Sequence, residues 1–371
     1  MLGYIYSPTM IMLKSYHNLE FKPIKCIFLF IIMRNENITL DEGDGGYKSG
    51  ELISEIRKIL DFSSKNKKWN NCEDDAAVFK LKGNKKLVFT TDAYIVDPIF
   101  FPGGDIGKIA MSGTINDLSV MGANPIGISL SIVVEEGFPK SDLQKIVQSI
   151  AEVSKKSGVP VVTGDTKVSE KGKIDKIEIT TAGVGLADNI ISNNGIKNGD
   201  YIISSGDLGE HTVALLAKRF NYKTKIKSDS KPFNKEIEKV GKYLNACKDP
   251  TRGGLAANLV EMAEKSGVKV VLEEKSLPYK KEVMAITNLL GLDVFSLASE
   301  GRFIASVSPK NIKKVLKILQ RFNLEAKVIG RVEKGKTGTK KGNERGVYLK
   351  TNLGSLRPIE MPKGKLIPRI C

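Results

Sequence analysis

Residues 87–134 read LVFTTDAYIVDPIFFPGGDIGKIAMSGTINDLSVMGANPIGISLSIVV. The run from Leu87 to Thr91 predicts a strand ending at Asp92, because β-branched and aromatic side chains suit a pleated, half-buried surface. Pro102-Gly103-Gly104 interrupts the pattern. Asp105 to Met121 then predicts a helix, with Asp105 as its N-cap and Gly122 just past its end. Ile126 to Val134 returns as a strand. Working outward, Ser141 to Ser157 is an amphipathic helix. Leu143, Ile146, Val147, Ile150 and Val153 share one of its faces, and Gly158 closes it. Val159 to Thr163 predicts a buried strand that delivers Gly164 and Asp165, and Ile177 to Leu186 another.

Composition shifts at Asn193–Gly199, which marks a domain boundary. Beyond it the pattern predicts a strand at Tyr201–Ser204, a helix at Gly209–Phe220 and a basic, polar loop at Lys223–Pro232. Helices at 233–246 and 253–266 follow, then strands at Val268–Leu272 and Phe303–Val307. A helix at 309–321 and strands near 326–333 and 346–350 complete the unit. Lys334–Arg345, rich in Lys and Gly, reads as an exposed loop. Strands and helices alternate without βαβ regularity. The expected class is α+β, with mixed sheets and helices in two domains, at 37–192 and 193–355. Residues 1–36 form an atypical extension, and 356–371 a flexible tail with three prolines from Pro358 onward.

Composition narrows the function classes. Of 371 residues, 41% are apolar and 27% charged, which excludes disorder as the main state. Cys26, Cys72, Cys247 and Cys371 show no CxxC spacing, which excludes a disulfide scaffold and suits a reducing cytoplasm. The formal net charge of +16 is spread along the chain, and 7% aromatics leave little for a stacking platform. The charge therefore reads as a lysine-rich surface, with no nucleic-acid partner. The apolar run Cys26–Met33 falls short of the roughly 20 residues that cross a bilayer, so no membrane partner is expected. No small-residue cleavage site follows it, and a natural start at Met33 is the preferred reading.

Four features carry chemistry. The first is a set of acids at strand ends: Asp74 and Asp75, Asp92, Asp165 and Asp249. Such carboxylates hold Mg²⁺, a hard ion that shares its ligands with nucleotide phosphates. Singly, each reads as a cap or turn residue. Together, beside small residues that let a ligand approach, they read as a site. The second is three glycine loops before helices, Gly43-Asp44-Gly45-Gly46, Pro102-Gly103-Gly104 and Thr251-Arg252-Gly253-Gly254. Their backbone N–H groups can cradle phosphate or simply turn the chain. The third is Asn116-Asp117, two polar residues inside an apolar, small-residue helix, read equally as a ligand contact or a solvated face. The fourth is Cys371 as the last residue, which is either a swinging nucleophile or a surface thiol.

The run Asp97–Lys108, Gly113-Thr114-Ile115-Asn116-Asp117-Leu118-Ser119, Gly164-Asp165-Thr166-Lys167, Asp249-Pro250-Thr251-Arg252-Gly253-Gly254, Ser299-Glu300-Gly301 and the closing Pro368-Arg369-Ile370-Cys371 resemble the HypE family of hydrogenase maturation proteins. The resemblance covers about residues 37–371. That family sits in the ATP-binding superfamily of aminoimidazole ribonucleotide synthetase, selenophosphate synthetase and thiamine-phosphate kinase. The acidic and glycine motifs belong to the whole superfamily, and the terminal Pro-Arg-Ile-Cys is the specific signal. The resemblance implies an aminoimidazole-ribonucleotide-synthetase-like fold and a homodimer through the N-terminal domains, with ATP near that interface. It also implies a reaction. A carbamoyltransferase, HypF, loads Cys371; the chain dehydrates the carbamoyl group to a thiocyanate with ATP; the cyanide passes to iron on a HypC–HypD complex in the cytoplasm.

By the same resemblance, Asp74, Asp75, Asp92 and Asp249 are expected to hold Mg²⁺. Asn116, Asp117, Asp165, Lys167, Gly45 and Gly46 are expected around ATP. Glu300 is the expected base, or else a partner for Arg302. His211 is an acid/base or phosphate contact, or part of a helix cap. The family's His-Gly-Ser-Gly-Gly loop is Glu42-Gly43-Asp44-Gly45-Gly46 here, so only a backbone role carries over. Selenophosphate synthetase activity would need a reactive cysteine near residues 40–50, which hold Lys48 but no Cys. A thiamine-phosphate-kinase-like enzyme, or a scaffold that only presents its tail, would leave the terminal cysteine or the acids without a task.

Overall fold

The computed structural model describes residues 37–43, 45–60, 68–333, 345–363, 367 and 369–371. The expectations for residues 1–36, Asp44, 334–344 and Pro368 lie outside the described residues.

Among the described residues, six strands make the first sheet: β1 (Trp69–Asn70), β2 (Ala77–Lys80), β3 (Lys86–Tyr94), β6 (Asn124–Glu135), β7 (Val161–Ser169) and β8 (Ile177–Ala187), with short β4 (Phe100–Phe101) and β5 (Gly104–Asp105) paired beside it. The order is β1-β2-β3-β8-β6-β7, antiparallel except for β6 with β7. Every second residue of β8 from Ile177 to Ala187 is buried, and this face meets the helix Ile106–Val120. Asp105 caps that helix by accepting the Lys108 N–H at 3.0 Å. The helix's small residues are explained by packing. A Cβ on Gly183 would stand 2.7 Å from Thr114 Cγ2, and one on Gly107 would stand 2.6 Å from the Ile146 carbonyl. The helix Lys140–Ser157 covers its outer side and ends at Gly158 in the left-handed region, at φ 81°.

The second sheet runs β10 (Leu244–Lys248), β12 (Ile304–Val307), β9 (Tyr201–Ser204), β13 (Lys327–Glu333), β11 (Lys269–Glu273), β14 (Gly346–Lys350), β15 (Leu356–Ile359). Only β11 and β14 are parallel. The helix Gly254–Ser266 buries Leu255, Leu259 and Met262 against Ile202, Val270 and Ile304.

Several expectations are corrected. β3 continues past Asp92 to Tyr94. The helix expected at 233–246 spans only Asn234–Val240, because Leu244–Lys248 pairs with β12. The helix Lys281–Leu289 was not foreseen. Leu356–Ile359 is the outer strand of the second sheet rather than the start of a tail; Pro358 is tolerated at a sheet edge, where a missing N–H breaks no ladder. Val161–Ser169 is not buried: β7 bonds to β6 alone, and Val162 and Val168 are 62% and 71% exposed. The basic loop 223–232 has no regular structure, as expected. Yet Ile226, Ser228, Asp229 and Ser230 are buried, with the Ser228 N–H donating to the Pro102 carbonyl at 2.8 Å.

Candidate active site

Five carboxyls from both halves of the chain meet. Asp75 lies in the turn before β2, Asp92 on β3, and Asp117 on the helix Ile106–Val120. Asp249 follows β10, and Glu300 precedes β12. Burial is the main cause that pushes Asp117 and Glu300 well above the usual carboxylate range. Mutual repulsion adds to it: Asp92, Asp249 and Asp75 act on Asp117, and Asp249, Asp229 and Asp92 act on Glu300. Asp249 is pushed up to about 7 by burial, then by Asp75 and Asp92, against Lys248. Carboxyls so arranged bind a cation well, because it removes both the desolvation and the repulsion.

Lys248 answers part of this charge. Its ammonium, 10% exposed, pairs with Asp75 Oδ1 and lies 3.5 Å from Glu261 Oε2. Asp75 Oδ2 is buried without a hydrogen-bond partner. Sequence reasoning missed Lys248, although it directly precedes Asp249. Asp74 is tied mainly to its own surroundings. Its Oδ2 accepts from Asn71 Nδ2 at 2.8 Å and Ser192 Oγ at 2.7 Å, and Lys265 lies 3.6 Å from Oδ1. It pins the connection after β8, and of its two oxygens only Oδ1 accepts no hydrogen bond from these neighbours.

The tail brings Cys371 into this site. The Ile95 N–H donates to the Cys371 carbonyl at 3.3 Å, and the Asp97 N–H to the Arg369 carbonyl at 3.1 Å. The last residues therefore run antiparallel to 95–97. Ile370 is buried in the first domain's core. Burial raises the Cys371 thiol far above its ordinary value, Glu300 raises it further and Arg252 opposes. The described tail residues are seated here: Ile370 is buried in one core and Ile367 packs against it and a second.

Glu300 accepts no hydrogen bond at its buried Oε1. Its backbone N–H donates to Asp229 Oδ1 at 3.1 Å. Arg302 does not pair with it. That guanidinium reaches Glu210 Oε2 at 3.2 Å and the Asp207 carbonyl at 3.0 Å. His211 lies with Nε2 2.8 Å from the Ile370 carbonyl and Nδ1 2.8 Å from Ser228 Oγ. Burial lowers its pKa, so the ring is neutral. A carbonyl only accepts, so Nε2 carries the proton and Nδ1 accepts from Ser228. With both nitrogens engaged, His211 ties the tail backbone at Ile370 to the buried loop at Ser228. Asp229 and Ser228 were missed; a Ser-Asp-Ser run inside a basic stretch was the available signal.

Gly45, at φ 84°, packs on Arg252, where a Cβ would collide with the Arg252 side chain. Arg252 Nη1 donates to the Gly43 carbonyl at 2.9 Å. The Gly45 N–H donates to Ser49 Oγ at 2.9 Å, and Gly46 accepts from the Gly50 N–H at 3.2 Å. The first glycine loop thus closes over Arg252 and Gly253. Asn116 is buried, which corrects the solvated-face reading, and it clamps three backbone positions. Nδ2 donates to the Lys231 and Glu300 carbonyls at 3.1 and 3.3 Å, and Oδ1 accepts from the Phe233 N–H at 3.0 Å. Asp165 and Lys167 stand on exposed β7, paired with each other at 3.0 Å, and this chain does not bring them to the carboxyl cluster.

Among the described residues, no group of three or more His, Cys, Asp or Glu side chains is placed to hold a metal ion. The donor chemistry still fits a hard cation at Asp75, Asp92 and Asp249, given the unpartnered Asp75 Oδ2, if phosphate oxygens complete its shell. Among the described residues, no helix is long and apolar enough to cross a membrane.

Comparison with known proteins agrees with this architecture. Residues 73–187 match the AIR synthase related protein N-terminal domain, and residues 197–342 its C-terminal domain. The chain is 45% identical to a Methanocaldococcus jannaschii protein named for hydrogenase expression and formation, over 90% of this chain and 99% of that one. It is 38% identical to the carbamoyl dehydratase HypE of Cupriavidus necator, over 91% and 96%. Among solved structures, HypE in its complex with HypF superimposes with a TM-score of 0.74 at 37% identity, covering 83% of this chain and 99% of that one. HypE in complex with ATP gives 0.74 at 35%, covering 90% and 100%. The chain therefore belongs to the AIR synthase related family and, within it, to the HypE hydrogenase expression/formation proteins.

Proposed function

We propose that the chain is an ATP-dependent carbamoyl dehydratase of hydrogenase maturation, acting on a carbamoyl group carried by its own Cys371. One observation carries this reading: the terminal thiol is partly buried within electrostatic reach of Glu300, whose Oε1 has no hydrogen-bond partner. Dehydrating a thiocarbamate means losing the carboxamide oxygen and both N–H protons. That oxygen is a very poor leaving group. Bound Mg-ATP supplies the phosphoryl group that makes it a good one, and the cation offsets charge on the phosphates.

The chain's residues have distinct tasks in this reading. Asp75, Asp92 and Asp249 hold the cation, and Lys248 keeps Asp75 ionised. Arg252 offers positive charge beside the glycine loop. Glu300, with its raised proton affinity, takes protons from the carboxamide nitrogen. His211 and the 95–97 edge hold Cys371 in place, and the closed site excludes water that would hydrolyse an activated carbamoyl group.

A partly buried thiol with a raised pKa is a poor nucleophile, so loading of Cys371 needs the tail released to a carbamoyltransferase of the HypF kind. The cyanide group then passes to iron held by a HypC–HypD-like complex. Exposed β7, with its unpaired edge and apolar Val162 and Val168, supports a homodimer through the N-terminal domains. In such a dimer Asp165 and Lys167 would face a second copy. A cytoplasmic location belongs to the same proposal.

The test is intact-mass analysis of the C-terminal peptide after incubation with the carbamoyltransferase, carbamoyl phosphate and Mg-ATP. The expected result is a carboxamide adduct on Cys371 that then loses one water. An unmodified Cys371, with the transferase active on another member of the family, would overturn the reading.

A further inference from the structure

The tail is gripped from a second side, by a residue no motif singles out. Arg219 closes the helix Glu210–Arg219, and its guanidinium is half-buried between two backbone segments. Nε and Nη2 donate to the Asp97 carbonyl at 3.0 and 2.5 Å, and Nη2 also donates to the Arg369 carbonyl at 3.2 Å. Asp97 is the residue whose N–H bonds the Arg369 carbonyl. One planar fork therefore ties the tail and its docking edge at the same rung. Arg369 itself sits at φ 55°, a conformation that non-glycine residues rarely adopt, and its Nη2 pairs with Asp175 Oδ2 at 2.5 Å. A backbone bent in this way stays docked only while the surrounding contacts hold it.

We propose that Arg219 is a positioning residue, a latch that sets the share of molecules whose Cys371 lies inside the site. This rests on the dehydratase reading for its purpose, though not for its measurement. The two half-reactions need opposite tail states, so the latch must be strong enough to seat the thiol and weak enough to release it. Hydrogen bonds from a charged donor to carbonyls have that middling strength, stronger than those between neutral groups yet readily broken. Burial lowers the Arg219 pKa only from its ordinary high value, and the group stays a cation. The fork geometry matters as much as the charge. A lysine ammonium is a point donor and does not hold two carbonyls in one plane.

The test is the rate at which a small alkylating reagent labels each cysteine of the full chain, read by peptide mass spectrometry. Cys371 in Arg219→Ala is expected to label at least about tenfold faster than in the unaltered chain, as loss of one such bond implies. Arg219→Lys is expected to fall between them. Cys247, fully buried on β10, is the internal control and should stay protected. With carbamoylated protein, Arg219→Ala should dehydrate more slowly in a single turnover, while carbamoyl transfer onto Cys371 is as fast or faster.

Equal Cys371 labelling in Arg219→Ala and the unaltered chain, with Cys247 protected, would overturn the latch. If Arg219→Ala exposes Cys247, the variant has unfolded and the comparison is made on Arg219→Lys, where equal Cys371 labelling would overturn it. An unaltered chain that never loses water from its adduct would sink the dehydratase reading and leave the labelling result standing.

Discussion

His211 Nε2 lies 2.8 Å from the carbonyl oxygen of Ile370, so a buried ring holds the residue next to the terminal thiol. The ring must be neutral to make this bond while accepting from Ser228. Its pKa is lowered in the folded state, chiefly by burial. The stabilisation is therefore complete above the unfolded value near 6.5 and is lost as pH falls below it. We expect the tail to be cut faster by a protease at pH 5.5 than at pH 7.5, after correction for protease activity on an unfolded standard. His211→Gln should flatten that difference. An unaltered chain whose tail is equally resistant at both pH values would show that His211 does not hold it.

Glu300→Gln keeps the shape and removes the proposed base. The backbone bond from residue 300 to Asp229 is unaffected, so folding should be little changed. Dehydration of pre-carbamoylated protein should fall by about 10²–10⁴-fold, the usual worth of a positioned base. Carbamoyl transfer to Cys371 should proceed normally. Rapid-quench mass analysis decides between them. Thiocyanate formed at the ordinary rate would remove Glu300 from the mechanism.

Lys248 and Asp75 form a buried pair, with Lys248 10% and Asp75 9% exposed. Removing one partner strands the other charge. Lys248→Met should cost about 3–5 kcal/mol in urea denaturation, and the double variant Asp75→Asn/Lys248→Met should recover most of it. Additive losses in the double variant would mean that the two groups do not act as a pair.

The fold was legible wherever local pattern and tertiary demand agreed. Asp105 as a cap, Gly158 as a stop and the face of Leu143, Ile146, Ile150 and Val153 were readable, because each follows from helix geometry alone, whereas Val147, assigned to the same face, is 42% exposed. β7 misled because its apolar run resembles an interior strand, whereas within one chain it is a sheet edge. At the site, Asp75, Asp92, Asp117, Asp249 and Glu300 were named from motifs, and the structure gathers them. What no motif carried was their partnering. Asp74 and Asp75 are adjacent in sequence and have different fates, decided by Ser192 and Lys248 far along the chain. Asn116, read equally as a ligand contact or a solvated face, is buried and bonded to backbone from residues 231, 233 and 300. Long-range hydrogen bonding of this kind leaves no periodic trace in a sequence.

Asp249 gives the clearest pH signature by which the proposed cation site can be tested. Its pKa stands at about 7 in the folded chain, against an ordinary value near 4, through burial and then Asp75 and Asp92. A raised acid binds its proton more tightly when folded. Its contribution is therefore present at low pH and declines as pH rises from about 4 to about 7, then stays constant. Asp249→Asn removes this titration. Without nucleotide, the stability of the unaltered chain relative to Asp249→Asn should fall as pH goes from 5 to 7.5. With Mg-ATP, a cation on the ionised carboxylate reverses the sense: the unaltered chain should gain most at pH 7.5 and above, and the variant least. Thermal unfolding at each pH, with and without Mg-ATP, measures both slopes. Parallel curves for the two proteins in the presence of Mg-ATP would mean that Asp249 carries no part of the cation.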